Sequence, residues 1–429
     1  MTDFSRDVCY LMPEMITKSL ILAAGPGTGA RRLNSATPEP VVQRIVHADA
    51  APGTRPFKVL VLDAPLGGTV AMQVVQCLAT DGAFAISVAS TDPRPIAKYS
   101  RWVKRFYRLP AGRDQTATLH RLKSILRSER FDILLPVGVD EIAFLANHMD
   151  DELRSLTRIP DQPSAKAFEI ANSKSLLSAF MEEHGIEHPR TVRFDAQDPS
   201  MPERLAGLAL PVITKPTWGG GGSGIRVFES REPLCAHLAE HSAPGNPLVA
   251  QEFVGDHDVG VAVYCRAGEI LYMTMQRVTS SAPQTFRPSK AIHFFESAKL
   301  TELVARLMKA LAWNGIAQVD LRVDSATGDA HVLEINPRYW GSVLGSQRMG
   351  VNFPAIACRM AVGLLLPEAG YRHGRYITAM GYVQQLWRFS RGQPAAERIS
   401  FGESACSEIV RDPLPRVWEA LRRVFPWAR

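Results

Sequence analysis

Residues 215–228, KPTWGGGGSGIRVF, place four consecutive glycines shortly after a lysine. Unbroken glycine lets a backbone approach a ligand closely, but ordering it costs conformational entropy. The segments before the glycines (LPVITKP) and after them (IRVF) both have the composition of β-strands. The sequence therefore predicts a strand, a glycine flap and a second strand, with Lys215 at the root of the flap.

The order of these residues excludes two familiar phosphate-binding loops. A P-loop carries its lysine after the glycines, followed by Ser or Thr and a helix, whereas Lys215 precedes them. A dinucleotide fingerprint runs from a strand through a glycine turn into a helix, whereas residues 225–228 predict a strand. A mobile surface hairpin is the remaining alternative at this point, because glycine runs also occur there.

Composition limits the class of protein. The 429 residues suffice for two or three domains, and 46% hydrophobic with 21% charged residues is typical of a globular chain. No apolar run reaches the ~18 residues of a membrane span. Six cysteines without a CxxC pair disfavour a metal knuckle or a disulfide framework and favour a cytoplasmic location.

The net charge of +6 is concentrated near the end of the chain. Residues 371–429 contain ten arginines and five acidic residues, which leaves the rest of the chain close to neutral. That remainder has no basic footprint of the kind that binds nucleic acid. We expect small-molecule partners rather than DNA or RNA.

Four segments follow from the patterns along the chain. Residues 1–55, rich in Gly, Pro, Ala and Thr, predict a poorly ordered leader. Strands alternate with helices over residues 56–165, which predicts an α/β domain with a parallel sheet. Residues 166–365 have an antiparallel α+β pattern, and residues 366–429 form a basic extension.

The segment IAQVDLRVDSATGDAHVLEINPR predicts a hairpin with two different faces. A turn centred on Thr327 puts Asp320 opposite Glu334 and Gln318 opposite Asn336. Side chains alternate along a strand, so these polar groups share one face. The residues expected on the other face are apolar: Val319, Leu321, Val323, Leu333 and Ile335.

Asp320 directly opposite Glu334 is a like-charge pair, which costs roughly a few tenths of a kcal/mol on a sheet. A bound cation removes this conflict, and carboxylate and amide oxygens are hard ligands suited to Mg²⁺. We therefore predict a metal site at Asp320, Glu334 and Asn336 for Mg²⁺, with Mn²⁺ as an alternative. A wet outer face is the competing interpretation, and a slip or bulge in the hairpin would remove the pairing.

With the flap, QEFVG and LEINPR in this order, the chain resembles the ATP-grasp superfamily over residues 57–365. The stretch EINPRYWGS is similar to carboxylate–amine ligases and to short carbamoyl-phosphate-synthetase-like proteins. The resemblance implies a Rossmann-like α/β domain followed by two α+β subdomains that clamp ATP. It also implies activation of a carboxylate as an acyl phosphate, with ATP and Mg²⁺ bound.

The resemblance implies a role for each matching residue. The groups expected to contact the nucleotide phosphates are Lys174, Lys215, Gly220, Gly221, Gly222 and Ser223. The groups expected at adenine and ribose are the backbone of Glu252, Phe253 and Val254 and the side chain of Asp258. The implied metal ligands are again Asp320, Glu334 and Asn336. Arg338 matches the arginine that steadies the acyl phosphate and, with Lys215, is the candidate for catalysis.

We expect an ATP-dependent ligase that forms a carbon–nitrogen bond between a small carboxylate and an amine. Carbamoyl-phosphate-synthetase-like carboxyl-phosphate chemistry is one alternative, and an ATP-binding module without catalysis is another. The intact charged set argues against the last, because a scaffold has no need of it. No motif identifies either substrate, although Arg277, Arg287 and Lys290 are candidates for an acceptor pocket.

The final stretch, PLPRVWEALRRVFPWAR, predicts a short amphipathic helix. Its apolar stripe consists of Val417, Trp418, Leu421, Val424 and Phe425. We predict that this stripe packs onto the grasp domain, with a homodimer contact or an anionic membrane surface as alternatives. Membrane binding is the least favoured, because three prolines leave only about ten residues of helix and short helices bury little area.

Overall fold

The computed structural model describes residues 55–63, 68–111, 115–219, 222, 224–243, 245, 247–278, 291–392 and 399–424. Several predictions fall outside these residues: those for the leader before Arg55 and for Gly220, Gly221, Ser223, Arg287, Lys290 and Phe425. Among the residues that are described, no helix combines the length and apolar character needed to cross a membrane.

The described part of the chain contains strands that we number in chain order. These are β1 (Phe57–Asp63), β2 (Phe84–Ser90), β3 (Val103–Arg108), β4 (Ile133–Pro136), β5 (Thr191–Arg193), β6 (Val212–Pro216), β7 (Arg226–Phe228), β8 (Leu248–Glu252), β9 (His257–Arg266), β10 (Glu269–Val278), β11 (Ala291–Phe295), β12 (Gly315–Val323), β13 (Ala330–Asn336) and β14 (Gly374–Ile377).

The helices of the same part of the chain are numbered likewise. These are α1 (Gly68–Ala79), α2 (Gln115–Glu129), α3 (Val139–His148), α4 (Asp151–Leu156), α5 (Ala165–Asn172), α6 (Lys174–Glu183), α7 (Met201–Ala206), α8 (Arg231–His241), α9 (Ala298–Ala310), α10 (Val343–Arg348), α11 (Phe353–Val362), α12 (Ala379–Ser390), α13 (Cys406–Arg411) and α14 (Leu414–Val424). Two short 3₁₀ helices span Ile96–Tyr99 and Phe401–Glu403.

The first sheet is parallel, in the order β3-β2-β1-β4, with helices between its strands. β1, β2 and β4 are buried apolar runs, as the sequence pattern predicts. The pattern did not single out β3, because three of its six residues are charged and it lies at the sheet edge. The predicted α/β domain is confirmed.

Two antiparallel sheets follow, in the orders β5-β8-β6-β7 and β13-β12-β9-β10-β11-β14. β6 pairs with β7 across the glycine flap, which confirms the predicted strand, flap and strand. An α/β domain followed by an antiparallel α+β fold is therefore the architecture of the chain. β14, from the predicted extension, pairs with β11 in the larger sheet, and the domain boundaries proposed above remain predictions.

The hairpin of β12 and β13 has the predicted pairing at the polar residues of the expected site. Gln318 faces Asn336 and Asp320 faces Glu334. A bulge follows Asp320, so Leu321 pairs with residue 332 rather than 333. The bulge lies on the turn side of the acidic pair and leaves that pair intact.

The bulge changes the predicted apolar face. Val332 is fully buried there, whereas Leu333 is only half-buried, so the placement of Leu333 on that face was wrong. The extra residue shifts every side chain between the bulge and the turn by one position. The buried face packs on the apolar side of α9, which leaves the polar face of the hairpin for the site.

Helix α14 docks on the α/β domain. The ring of Trp418 stacks on Tyr99 with 4.4 Å between centroids. Just before the helix, the carboxylate of buried Asp412 accepts hydrogen bonds from Ser100 Oγ (2.5 Å) and Arg101 N (3.0 Å). Val417 is 51% exposed. The helix does pack on protein, but the prediction of the grasp domain as its partner was wrong, because Tyr99 and Ser100 supply the contacts.

Candidate active site

Lys174 connects the flap to the acidic pair. It is the first residue of α6, whose N-terminus is capped by the Ser173 side chain. Its backbone N–H donates to Thr217 O (3.0 Å), and its Nζ donates to Gly219 O (2.6 Å) at the start of the flap. The same Nζ lies 3.3 Å from Glu334 Oε2. The predicted phosphate-binding lysine is thus held by a carboxylate and a flap carbonyl.

Lys215 lies on β6 and is only 4% exposed. Burial lowers the pKa of Lys215 to about 8, with Glu334 opposing this shift and Lys174 adding to it. No described residue accepts a hydrogen bond from its Nζ. A buried ammonium group beside another lysine needs an anion for neutralisation, so Lys215 is suited to bind a phosphate oxygen.

Asp320 and Glu334 face one another from adjacent strands and are bridged by Asn336. Asn336 Nδ2 donates to Asp320 Oδ2 (2.8 Å) and lies 3.5 Å from Glu334 Oε1. Burial, followed by the charge of Glu334, raises the pKa of Asp320 well above its usual range. Burial also acts to raise the pKa of Glu334, but Lys174 and Lys215 outweigh it and hold that pKa below its usual range. The pKa values of the two facing carboxyl groups are therefore shifted in opposite directions, upward for Asp320 and downward for Glu334.

The pair has the chemistry of a Mg²⁺ site, since two facing carboxylates are hard oxygen ligands. Asn336, however, presents its amide nitrogen to them, because its Oδ1 accepts from Arg338 Nη2 (2.8 Å). To act as a ligand, Asn336 would have to turn its amide over and lose that bond. Asp320 and Glu334 fit the ion, whereas the ligand role of Asn336 remains a prediction.

Within the described residues, no group of three or more His, Cys, Asp and Glu side chains is placed to hold a metal ion. A pair of carboxylates suits an ion that keeps several waters and also binds phosphate oxygens, which is the usual behaviour of Mg²⁺.

Arg338 lies just beyond the acidic pair. Besides its bond to Asn336, it donates from Nη1 to Tyr339 O (3.0 Å). Tyr339 N donates in turn to Val137 O (3.2 Å), directly after β4 of the α/β domain. These contacts fix the guanidinium group at the junction between the two parts of the fold.

The predicted adenine hinge has two of its three N–H groups in use. Glu252 N donates to Arg190 O (3.0 Å), and Phe253 N donates to Pro211 O (2.9 Å). The N–H of Val254 has no acceptor among the described residues. Backbone recognition of adenine at this hinge therefore depends on the Val254 N–H and on carbonyl groups.

Arg322 joins the hinge to the hairpin, a role that sequence reasoning missed. Its Nη1 donates to Asp258 Oδ1 (3.3 Å), and its Nη2 donates to Gly255 O (2.8 Å). Its guanidinium carbon lies 4.4 Å from the centroid of the Phe253 ring. The available signal was its position two residues after Asp320, on the same face of the strand.

Arg277 lies on the opposite face of the large sheet from the acidic pair. It pairs with Val259, whereas its neighbour Gln276 pairs with Gly260, the partner of Asp320. The Arg277 guanidinium group lies over the ring of Phe295. The prediction of Arg277 as an acceptor-pocket residue was wrong, because alternation turns its side chain away from the site.

Residues 171–342 match the family model of the ATP-grasp domain. The fold is similar to that of N5-carboxyaminoimidazole synthetase from Staphylococcus aureus complexed with ADP, at 15% identity and a TM-score of 0.60. That match covers 79% of this chain and 87% of that chain. It is also similar to L-amino acid ligase from Bacillus licheniformis, at 16% identity and a TM-score of 0.53, covering 73% of this chain and 75% of that chain.

A third similar structure is the biotin carboxylase domain of 2-oxoglutarate carboxylase from Hydrogenobacter thermophilus, in complex with MgADP, ADP and bicarbonate. It has 17% identity and a TM-score of 0.58, covering 75% of this chain and 74% of that chain. At these identities the likeness establishes the fold alone.

Proposed function

Because residues 171–342 match the family model of the ATP-grasp domain, we propose that the chain is an ATP-dependent ligase that joins a small carboxylate to an amine. The observation that carries the proposal is one cluster of charge: Lys174, Lys215, Asp320, Glu334 and Arg338. The cluster lies at the base of the flap, and a scaffold without catalysis has no need of it. The L-amino acid ligase fold among the similar structures supports the same class.

The lysines account for binding of the nucleotide. The buried ammonium of Lys215 is a point charge for a phosphate oxygen, and the flap lies directly beyond it along the chain. Lys174 donates a hydrogen bond to Gly219 O at the start of the flap. A phosphate that attracts the Lys174 ammonium group would therefore compete with this hydrogen bond. A Mg²⁺ ion held by Asp320 and Glu334 would supply charge neutralisation to the phosphates.

Phosphoryl transfer needs positioning and charge stabilisation more than covalent help from protein. A carboxylate oxygen attacks the γ-phosphorus of ATP, and ADP leaves with the electrons of the broken bond. Arg338 would stabilise the negative charge of the resulting acyl phosphate. The amine then attacks the acyl carbon, phosphate leaves, and the nitrogen loses a proton. We nominate no nucleophile from the protein.

A pairwise screen tests this proposal. The twenty proteinogenic amino acids, acetate, succinate and benzoate serve as carboxylates, and the amino acids and ammonia serve as amines. Each pair is incubated with MgATP, and phosphate and product mass are recorded. We expect at least one pair to give phosphate and an amide of the combined mass. Bicarbonate with ammonia is added as a separate pair, and formation of carbamoyl phosphate from it would favour carboxyl-phosphate chemistry instead.

Lys215→Met should remove this activity, because it deletes the buried positive charge at the base of the flap. Lys299→Met is the matched control, since Lys299 is 59% exposed and pairs with Asp329 on the surface. ATP binding without phosphate release from any pair would favour a module without catalysis and contradict the ligase proposal.

A further inference from the structure

Amide side chains continue the polar face of the large sheet beyond the acidic pair. Gly260 on β9 pairs with Asp320 on one side and with Gln276 on the other. Gln276 therefore lies on the same face as Asp320. Gln318, two residues before Asp320 on β12, shares this face and pairs with Asn336. Gln276, Gln318 and Asn336 thus form a row of amide side chains, and Asn336 at its end accepts a hydrogen bond from Arg338.

The two glutamine amide groups converge over Gly260, which has no side chain. A Cβ at this position would lie 2.8 Å from Gln318 Nε2 and 3.3 Å from Gln276 Nε2. Ser342 Oγ donates to Gln276 Oε1 (2.9 Å), which leaves the NH₂ group of Gln276 directed at Gly260. Both glutamines are half-buried, and no described residue accepts a hydrogen bond from either Nε2.

Two neutral N–H donors aimed at one spot suit an oxygen acceptor that is itself charged or strongly polar. Arg338 stands at the end of the same row, through its bond to Asn336. Neutral amides can orient a carboxylate without pairing off its charge, so the carboxylate oxygen remains able to attack phosphorus. Gly260 leaves the room that the two amide groups occupy, so that both lie side by side on this face.

We propose that Gln276 and Gln318 form the subsite for the substrate carboxylate, with Gly260 as its floor and Ser342 positioning Gln276. The proposal rests on the ligase function for the identity of the ligand. It assigns one end of the substrate only: a carboxylate group lying over β9, between Arg338 and β10.

Binding without turnover tests the subsite. We would measure thermal stabilisation of the full chain with MgADP, titrating in the twenty amino acids, acetate, succinate and benzoate. We expect at least one of these carboxylates to stabilise the wild-type protein. Gln276→Leu and Gln318→Leu should each raise its half-saturating concentration about tenfold, the effect of a lost hydrogen bond to a charged group. The response to MgADP alone should be unchanged.

Two further variants separate the subsite from a folding defect. Gln276→Glu keeps the shape but adds a negative charge, so it should weaken carboxylate binding more than Gln276→Leu does. Gly260→Ala should weaken it as well, because the methyl group displaces both amides. Gln347→Leu is the control: Gln347 is also half-buried, but it donates to Thr80 Oγ1, just after α1, and should leave carboxylate binding unchanged.

The proposal is overturned if no carboxylate of the panel stabilises the wild-type protein, or if Gln276→Leu and Gln318→Leu bind as tightly as wild type. Carboxylate binding that these variants lose, combined with a pairwise screen that gives no phosphate, would support the subsite and contradict the ligase function. The two proposals therefore fail separately.

Discussion

Two acidic side chains lie close together at two separate places in this protein, and the surroundings of these two pairs are very different. Asp320 and Glu334 lie beside Lys174 and Lys215, and Asn336 bridges their carboxylates. Glu334 is 22% exposed, so solutes can reach it. The first pair therefore lies next to positive charge and is accessible to solvent.

Asp63 and Glu141 form the second pair, in the α/β domain. Asp63 ends β1 and is 2% exposed, and neither of its oxygens has a hydrogen-bond partner among the described residues. Glu141 is 5% exposed and accepts a hydrogen bond from Gly138 N (2.9 Å). Burial, followed by the charges of Glu141 and Asp92, raises the pKa of Asp63 well above its usual range.

Burial acts to raise the pKa of Asp320, Glu334 and Asp63, and nearby cations decide whether the net shift is upward or downward. The first pair keeps one carboxylate charged because two lysines compensate it. In the second pair no cation compensates the burial of Asp63 among the contributions to its pKa, and that pKa is raised. The contrast shows that an acidic pair becomes a candidate binding site through its neighbours and not through its own charge.

The largest expected effect is on turnover, which should depend on the first acidic pair and not on the second. Glu334→Ala should lower turnover by about a hundredfold or more, because it removes a carboxylate from the centre of charge. The fold should persist, since the buried face of β13 is unchanged. Asp63→Asn removes a buried carboxylate outside the site and should retain turnover in the same phosphate-release assay. Normal ADP formation by Glu334→Ala would refute the metal-ligand assignment.

A smaller effect is expected at the edge of the first pair. Asp258→Ala should weaken ATP binding about tenfold if its carboxylate binds ribose, as a hydrogen bond to a charged group suggests. Glu252→Ala should have less effect, because the Glu252 side chain bonds Ala209 N (2.8 Å) and the hinge reads adenine by backbone. Titrations with ATP would measure the affinity of both variants. A greater loss of affinity in Glu252→Ala than in Asp258→Ala would rule out the assignment of residues 252–254 as the hinge.

A pH-dependent effect should mark the second pair. The raised pKa of Asp63 contributes stability that is fully present below its unfolded pKa of about 3.9 and lost as pH rises through the folded value. Asp63→Asn lacks this titration. Its Tm relative to wild type should therefore increase from pH 4 towards neutral pH, as measured by thermal unfolding. A constant difference in Tm across this range would show that Asp63 is ionised in the folded protein.

The smallest expected effect concerns helix α14, which docks on the α/β domain that contains the second pair. Trp418→Ala should lower Tm, because aromatic stacking contributes roughly 0.5–1.5 kcal/mol beyond area burial. Val417→Ala changes the adjacent, exposed side chain and should stay within about 0.5 kcal/mol of wild type. Flotation of the protein with anionic liposomes, abolished by cutting after Asp412, would contradict the docked helix.

Much of the site was predictable because it depends on local order. The flap follows from glycines between two strands, and the facing of Asp320 and Glu334 follows from a short turn and alternation. The bulge after Asp320 was not predictable, because one extra residue leaves the apolar pattern ambiguous. The edge strand β3 was missed for a similar reason, since its charged residues face solvent and give no apolar run.

The sequence alone determined the fold class, the polar face of the hairpin and the residues that carry charge, because these depend on composition and on spacing along single segments. Only the tertiary structure decided which charges meet. Lys174 reaches Glu334 across 160 positions, Arg322 reaches Asp258 across 64, and Trp418 finds Tyr99 in another part of the fold. Such contacts depend on how sheets and helices pack, and the free energy of packing is shared among many residues that no local pattern identifies.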